Sequence, residues 1–281
     1  MFQYGIMQGR LTKPRGRGIQ FFPFENWKEE FRVAAELGLQ EIEFIFDYDR
    51  YEENPLWTSQ GIAALKEVIK ETGVRVHSIC FDYFMRRAFF KVPEIERQAV
   101  REENRKMIEQ VLLAMYEIGA ELIEIPLVDD SSMKSLQEKK MFAEFLLEVV
   151  DSAREEFRFG LETDLPPKEF LAYLIQLNHP RVGANYDSGN SSGLGYDPYE
   201  EVTTLGDKIL NIHIKDRVYQ GTTVALGTGS ADFEKFFRGL KEISYKGAFI
   251  MQAARGEEGK ELESVRSQIQ FVKEYVEKYQ L

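Results

Sequence analysis

The chain has 281 residues, of which 36 are Lys or Arg and 47 are Asp or Glu, so its net charge at pH 7 is −11. This acidic balance argues against nucleic-acid binding, because neutralising phosphates requires a cationic face. The sequence contains no apolar run of the roughly 18 residues that span a bilayer and no signal-peptide pattern at its start, and its one cysteine, Cys80, fits a reducing compartment. We therefore expect a cytoplasmic protein that does not bind membranes.

Short apolar runs alternate with amphipathic stretches along the whole chain. In the first half, the predicted order is strand Tyr4–Met7, helix Trp27–Leu37, strand Glu41–Phe46, helix Ser59–Thr72, strand Val74–Phe81, helix Glu102–Ile118, strand Glu121–Val128 and helix Leu136–Glu156. In the second half, it is strand Arg158–Thr163, helix Pro166–Leu177, strand Arg181–Tyr186, helix Pro198–Leu205, strand Ile209–Ile214, helix Asp232–Ile243, strand Ala248–Gln252 and helix Glu261–Tyr279.

Eight strand–helix units in 281 residues predict a parallel sheet, and their number matches the (β/α)8 TIM barrel. We expect one domain covering residues 1–281. The main rival is an open doubly wound sheet, which is disfavoured because the segment from Gly5 to Gly9 lacks the spacing of a dinucleotide-binding glycine motif. In a barrel, functional side chains lie at the carboxyl ends of the strands.

Side chains able to bind a metal stand at the ends of the last four predicted strands. They are Glu162, Asp187, His213 and Gln252, and the steps between them are 25, 26 and 39 residues. Each step is about one strand–helix unit, so the barrel would aim all four at one point. Each residue alone also suits a helix cap, an ion pair or a core position. Together they form an oxygen-rich set suited to one Mn²⁺ or Mg²⁺ ion, with Co²⁺ or Zn²⁺ as alternatives.

Four motifs carry a resemblance to a known family. They are Leu161-Glu-Thr163, Asn185-Tyr-Asp187 with Asn190, His213-Ile-Lys-Asp216 and Leu226-Gly-Thr-Gly229. In these motifs the chain resembles the xylose-isomerase-like family of sugar isomerases and epimerases. The resemblance implies a TIM barrel with one divalent cation held by Glu, Asp, His and Glu. These ligands correspond here to Glu162, Asp187, His213 and the position of Gln252.

Gln252 departs from the family pattern, in which the glutamates of strands five and eight act as an acid/base pair. An amide cannot accept a proton at neutral pH, so Glu162 is the expected base and its usual partner is missing. Lys215 is the candidate second acid/base, because residues two apart on a strand point the same way and Lys215 follows His213 by two. The alternative is that Lys215 only neutralises a carboxylate or binds a substrate oxygen.

Further polar residues are candidates for substrate binding. They are Arg10, Glu43, Asn190, Arg217 and Arg255. The arginines suit a phosphate or carboxylate, or surface ion pairs, and Glu43 suits a sugar hydroxyl or the balancing of an arginine. The turn at Gly227-Thr-Gly229 suits either a phosphate or a plain turn in which Asp232 caps the next helix.

These features predict a metal-dependent isomerase or epimerase that acts on a sugar or sugar phosphate through an enediolate. Two alternatives stay open: a dehydratase of a keto-polyol at the same metal site, and a non-catalytic sugar-binding relative that lost its second base. The expected partner is a small-molecule sugar, and the sequence also allows a homo-oligomer.

Overall fold

The computed structural model describes residues 2–13 and 19–281. Its strands are β1 (Tyr4–Met7), β2 (Glu41–Ile45), β3 (Ser78–Cys80), β4 (Leu122–Leu127), β5 (Arg158–Thr163), β6 (Val182–Asp187), β7 (Ile209–Ile214), the short antiparallel pair β8 (Asp216–Arg217) and β9 (Thr223–Val224), and β10 (Phe249–Met251). All except β8 and β9 pair in parallel, and β10 pairs with both β7 and β1. The ring is therefore closed, and the predicted (β/α)8 barrel is confirmed.

Helices surround the ring. They are α1 (Trp27–Glu36), α2 (Ser59–Thr72), α3 (Tyr83–Arg86), α4 (Glu94–Ile118), α5 (Leu136–Ser152), α6 (Pro167–Leu177), α7 (Ser188–Leu194), α8 (Pro198–Leu205), α9 (Phe233–Glu242) and α10 (Glu261–Tyr279). Side-chain caps fix several starts: Thr58 accepts from Gly61 N at α2, and Ser135 and Glu138 form a capping box at α5. No helix in the described ranges is long and apolar enough to cross a bilayer.

Several elements differ from the prediction, and three of these differences are described here. The β3 strand is limited to Ser78–Cys80, because Arg75 joins β2 only through an isolated bridge with Glu41. Helix α4 begins at Glu94, eight residues earlier than expected, and its first turns are too charged to show an apolar stripe. Helix α7, with the sequence SGNSSGL, consists almost wholly of poor helix formers and was not predicted.

The barrel interior carries acidic side chains at several levels. Glu41 lies near the amino-terminal end of β2, where it pairs in register with Gly5, and it is 2% exposed. Its Oε2 is 4.0 Å from Arg75, and its Oε1 accepts no hydrogen bond from the residues described. Burial therefore raises the pKa of Glu41 to about 7, against the lowering effect of Arg75.

This raised pKa predicts that Glu41→Gln increases the stability of the folded state in a pH-dependent way. The folded state holds the Glu41 proton more tightly than the unfolded state does, so stability falls as the pH rises from about 4.5 to about 7. The variant has no such loss, and it should be more stable than the parent by up to about 3 kcal/mol at pH 8 and about equal at pH 4.5. Urea unfolding at both pH values measures this difference. The exposed Glu121→Gln variant is the control, and an equal gain from both variants would contradict the prediction.

Candidate metal centre

The ends of β5, β6 and β7 bring three predicted ligands together. Glu162, Asp187 and His213 each offer a ligand atom, and these atoms lie within 4.8 Å of one another. Asp187 and His213 are direct neighbours in the register of β6 and β7. All three side chains are buried, His213 completely. Consecutive parallel strands thus place residues that are up to 51 positions apart in one small volume.

The His213 ring lies between two carboxylates. Its Nε2 is 2.6 Å from Glu43 Oε1, and its Nδ1 is 3.1 Å from Glu162 Oε2. Burial raises the pKa of Glu43, but the charge of His213 and hydrogen bonds from His213, Ser78 and Asn211 outweigh it, so this pKa is lowered overall. A carboxylate at Nε2 selects the tautomer whose Nδ1 is free to bind a cation. The structure thus places Glu43 against His213, and its predicted contact with a sugar hydroxyl stays a prediction.

Asparagine side chains hold both oxygens of Glu162. Asn185 Nδ2 donates to Glu162 Oε2 at 2.9 Å, and Asn190 Nδ2 donates to Glu162 Oε1. Asn211 Nδ2 links this group to the barrel interior by donating to Asn185 Oδ1 at 2.8 Å and to Glu43 Oε2 at 2.8 Å. Sequence reasoning assigned no role to Asn185 and Asn211. Each stands two residues before a predicted ligand, so strand periodicity is the signal that could have found them.

Asp187 divides its two oxygens between a helix and a lysine. Its Oδ1 accepts from the backbone N–H groups of Gly189 and Asn190 at 2.8 Å each, which caps α7. Its Oδ2 lies 3.1 Å from Lys215 Nζ, which is also 3.3 Å from Asn190 Oδ1. The stem of Lys215 crosses α7 at Gly189, where a Cβ would lie 2.5 Å from Lys215 Cγ. Arg217 Nη1 donates to the same Asn190 oxygen at 3.1 Å.

Gln252 follows β10 directly. Its backbone N donates to Ile214 O at 2.9 Å, and its Nε2 donates to Gln20 Oε1 at 2.9 Å. Its Oε1 is buried and receives no hydrogen bond from any residue that the structure describes. Leaving a buried amide oxygen without a donor is costly, and a cation would satisfy it. Two carboxylates, an imidazole and this free oxygen fit a divalent cation.

An open cavity of about 570 Å³ adjoins the cluster. The predicted site residues that line it are Glu162, Asn190, Lys215, Arg217 and Gln252. Its other lining residues include Gln20, Cys80, Asp82 and Glu124, which sequence reasoning did not select. The cavity is therefore lined by the candidate ligands Glu162 and Gln252 together with residues of β3, β4 and the segment after β1.

The two remaining predicted arginines point to the backbone after β1. Arg10 Nη1 donates to Ile19 O at 2.6 Å, and Arg255 donates to Thr12 O and Ile19 O at 3.1 and 3.2 Å. Burial and the neighbouring Arg255 lower the pKa of Arg10 to about 10. Both guanidinium groups brace this segment, and their binding of substrate stays a prediction.

The glycine turn after β9 binds a carboxylate of the chain itself. Asp216 Oδ2 accepts from Gly227 N and Gly229 N at 2.9 Å each, and Asp216 Oδ1 accepts from Ala231 N at 3.0 Å. Asp232 Oδ1 accepts from Lys235 N and caps α9. Of the two interpretations of this turn, the structure supports the turn with a helix cap, since the glycine N–H groups already have an anionic partner.

Glu124 is a buried acid that the sequence analysis passed over. It lies in the middle of β4 in register with Cys80, its side chain is 0% exposed, and neither of its oxygens has a hydrogen-bond partner within residues 2–13 and 19–281. Burial, followed by the charge of Glu162, raises the pKa of Glu124 well above the usual range. A lone acid within an apolar strand is the sequence signal that could have identified it.

The chain is similar in sequence and in fold to known proteins. A family model described as a xylose isomerase-like TIM barrel matches residues 31–275. L-ribulose-5-phosphate 3-epimerase UlaE of Salmonella paratyphi A is 28% identical over 239 residues, which cover 81% of this chain and 82% of that protein. D-allulose 3-epimerase from Methylomonas sp., solved with D-allulose, has a TM-score of 0.74 at 18% identity over 98% and 97% of the two chains. The IOLI protein with a bound zinc atom has a TM-score of 0.74 at 20% identity over 99% of each.

The carboxylate behind His213 generates a prediction about metal affinity. Glu43→Gln removes the charge that orients the ring, so Mn²⁺ affinity should fall by about 10- to 100-fold. Isothermal titration with Mn²⁺ measures the change. Glu41→Gln is the matched control, because it makes the same substitution two residues earlier on β2 and should change affinity by less than about threefold. Equal affinity of the Glu43→Gln variant and the parent would show that the contact does not orient His213.

Proposed function

Because the chain belongs to the xylose isomerase-like TIM barrel family, we propose that it is a divalent-metal-dependent isomerase or epimerase of a sugar or sugar phosphate. The observation that carries this proposal is the cluster of Glu162, Asp187 and His213 beside an open cavity of about 570 Å³. The related L-ribulose-5-phosphate 3-epimerase and the structurally similar D-allulose 3-epimerase support the same class of substrate. We further propose that one barrel domain carries the activity.

The proposed ligands are Glu162, Asp187 and His213, with Gln252 Oε1 as the fourth. Because three of these four residues offer oxygen, we infer Mn²⁺ or Mg²⁺ as the cation. When bound, the cation would polarise a substrate carbonyl and stabilise the negative charge that develops when the adjacent C–H loses its proton. Arg217 and Asn190, at the wall of the cavity, are the proposed contacts for substrate hydroxyl or phosphate oxygens.

Glu162 is the proposed base. Asn185 and Asn190 fix its carboxylate from two sides and hold it at the cavity wall. One Glu162 oxygen takes the proton from the carbon next to the substrate carbonyl, and the electron pair of the C–H bond passes into the enediolate. These two hydrogen bonds supply the geometric restraint that a general base requires.

Lys215 is the proposed second proton-transfer group. It takes the place of the strand-eight glutamate, since Gln252 cannot carry a proton. Its Nζ is held by Asp187 and Asn190 and lines the same cavity as Glu162. Lys215 Nζ gives a proton to the enediolate. Protonation of the same carbon on its opposite face yields the epimer. Protonation of the former carbonyl carbon yields the isomer, with the hydroxyl proton passing from the oxygen on the first carbon to the oxygen of the former carbonyl.

The activity is tested by incubating the Mn²⁺-loaded protein in D₂O with ketoses and ketose phosphates of five and six carbons. We expect deuterium at the carbon next to the carbonyl and a reversible isomer or epimer, both lost with EDTA and restored by Mn²⁺. Absence of exchange across the panel in a protein that binds Mn²⁺ would overturn the proposal. Loss of water with an enone absorbance would instead indicate a dehydratase. Ligand-induced thermal stabilisation without turnover would indicate a sugar-binding relative.

The two proton-transfer roles predict different defects. Glu162→Gln should abolish deuterium exchange and lower kcat by about 10³-fold or more, because it removes the base. Lys215→Met should retain deuterium exchange at the carbon from which Glu162 takes the proton, while product formation falls by about 10²-fold or more at saturating Mn²⁺. NMR of the substrate and product pools separates these events. Lys246→Met, which replaces a lysine before β10, is the control. Normal product formation by Lys215→Met would exclude Lys215 as the second group.

A further inference from the structure

Three side chains form a hydrogen-bonded row along the cavity wall. Gln20 Nε2 donates to Asp82 Oδ2 at 2.7 Å, and Gln252 Nε2 donates to Gln20 Oε1 at 2.9 Å. All three residues line the cavity, and Asp82 and Gln252 are buried. The row starts beside α3, passes through the segment after β1 and ends at β10, so it joins three separate parts of the barrel mouth.

The direction of this row is set at its Asp82 end. An ionised carboxylate only accepts hydrogen bonds, so Gln20 must turn its NH₂ group to Asp82. The Gln20 carbonyl oxygen then faces Gln252, which must donate from its own NH₂ group. The remaining atom of Gln252, Oε1, is therefore turned away from the row, and it is the buried oxygen that has no donor among the residues described.

Two neighbouring groups favour the same direction. Cys80 Sγ donates to the other Asp82 oxygen at 3.3 Å, which keeps the carboxylate in an accepting role. Arg10 Nη2 lies 3.4 Å from Gln20 Oε1, so a guanidinium N–H faces the carbonyl side of that amide. Reversing the Gln20 amide would place its oxygen against Asp82 and its NH₂ group beside Arg10, and both contacts would be repulsive.

We propose that Asp82 and Gln20 are positioning residues that oblige Gln252 to offer its amide oxygen, and not its NH₂ group, to the cation. The inference rests on the proposed function in that it requires a cation at this site. It also explains why an amide stands at position 252. A glutamate there would set a carboxylate oxygen against Gln20 Oε1, and the Gln20 amide could reverse to relieve this contact only by turning its oxygen to Asp82.

A double-mutant cycle tests the proposal by measuring Mn²⁺ affinity, with free Mn²⁺ quantified by electron paramagnetic resonance. The four proteins are the parent, Asp82→Asn, Gln252→Glu and the double variant. In the parent background, Asp82→Asn should lower the affinity by about tenfold or more. Asparagine can donate a hydrogen bond, so the amides of Gln20 and Gln252 can both turn over, which brings the Gln252 NH₂ group to the cation. In the Gln252→Glu background, the same change should cost less than about threefold or raise the affinity, since reversal now supplies a donor to the introduced carboxylate.

Asp130→Asn is the matched control, because it removes one carboxylate from the cavity lining outside the row. It should change affinity by less than about threefold in both backgrounds. Gln20→Leu is a second test, because it removes the hydrogen bonds of Gln20 with Asp82 and Gln252 without changing either of those residues. It should lower the affinity about as much as Asp82→Asn does, and adding Asp82→Asn to it should have no more effect than the control. Thermal unfolding without metal confirms that every variant folds.

The outcomes separate the two proposals. Mn²⁺ binding with a coupling of about threefold or more between positions 82 and 252 supports the inference. The inference would be overturned if the protein binds Mn²⁺ but the effects of Asp82→Asn and Gln252→Glu on affinity are additive. It would also be overturned if the Gln20→Leu variant binds Mn²⁺ as tightly as the parent. Either result would leave the proposed function intact. Absence of Mn²⁺ binding by the parent protein would overturn the proposed function and this inference together.

Discussion

The 2.6 Å contact between His213 Nε2 and Glu43 Oε1 organises the interior of the barrel mouth. Glu43 is fully buried, and a buried carboxylate is tolerated only when it is paired and hydrogen-bonded. Ser78, Asn211 and His213 meet this requirement together. Because the imidazole is committed to Glu43 on one side, its other nitrogen can face only the space next to Glu162.

The same contact continues into a network that spans four strands. Asn211 donates both to Glu43 on β2 and to Asn185 on β6, and Asn185 donates to Glu162 on β5. The carboxylate of Glu162 and the imidazole of His213, both candidate ligands, are therefore positioned by one connected set of side chains. Connected networks hold groups more rigidly than separate hydrogen bonds do, which suits a site whose ligands must keep a fixed geometry.

Local patterns in the sequence were sufficient for the barrel and for the candidate ligands. The bounds of β5, β7, α2 and α10 were predicted to the residue, because each has clear apolar periodicity and well-marked ends. Barrel closure then directs the carboxyl ends of the strands to one rim, so Glu162, Asp187 and His213 could be grouped from their spacing alone.

The partners of these residues could not be predicted in the same way. Glu43 and His213 are 170 positions apart, and Gln20 and Gln252 are 232 apart. No local periodicity encodes such pairs, because they depend on the register of the closed ring. Helix α7 was missed for a different reason: its serines and glycines have low helix propensity, and it starts because the Asp187 side chain caps it.

The two oxygens of Asp187 have different roles, which limits the residues that can replace it. Its Oδ1 caps the start of α7, the helix that presents Asn190 to Glu162, and its Oδ2 lies 3.1 Å from Lys215 Nζ beside the other candidate ligands. Asparagine or serine would keep the start of the helix but would lose the second anionic oxygen, and the longer glutamate is a poorer cap. Of these residues, only aspartate combines both properties. The requirement for a helix start and the requirement for an anionic oxygen therefore act on the same carboxylate.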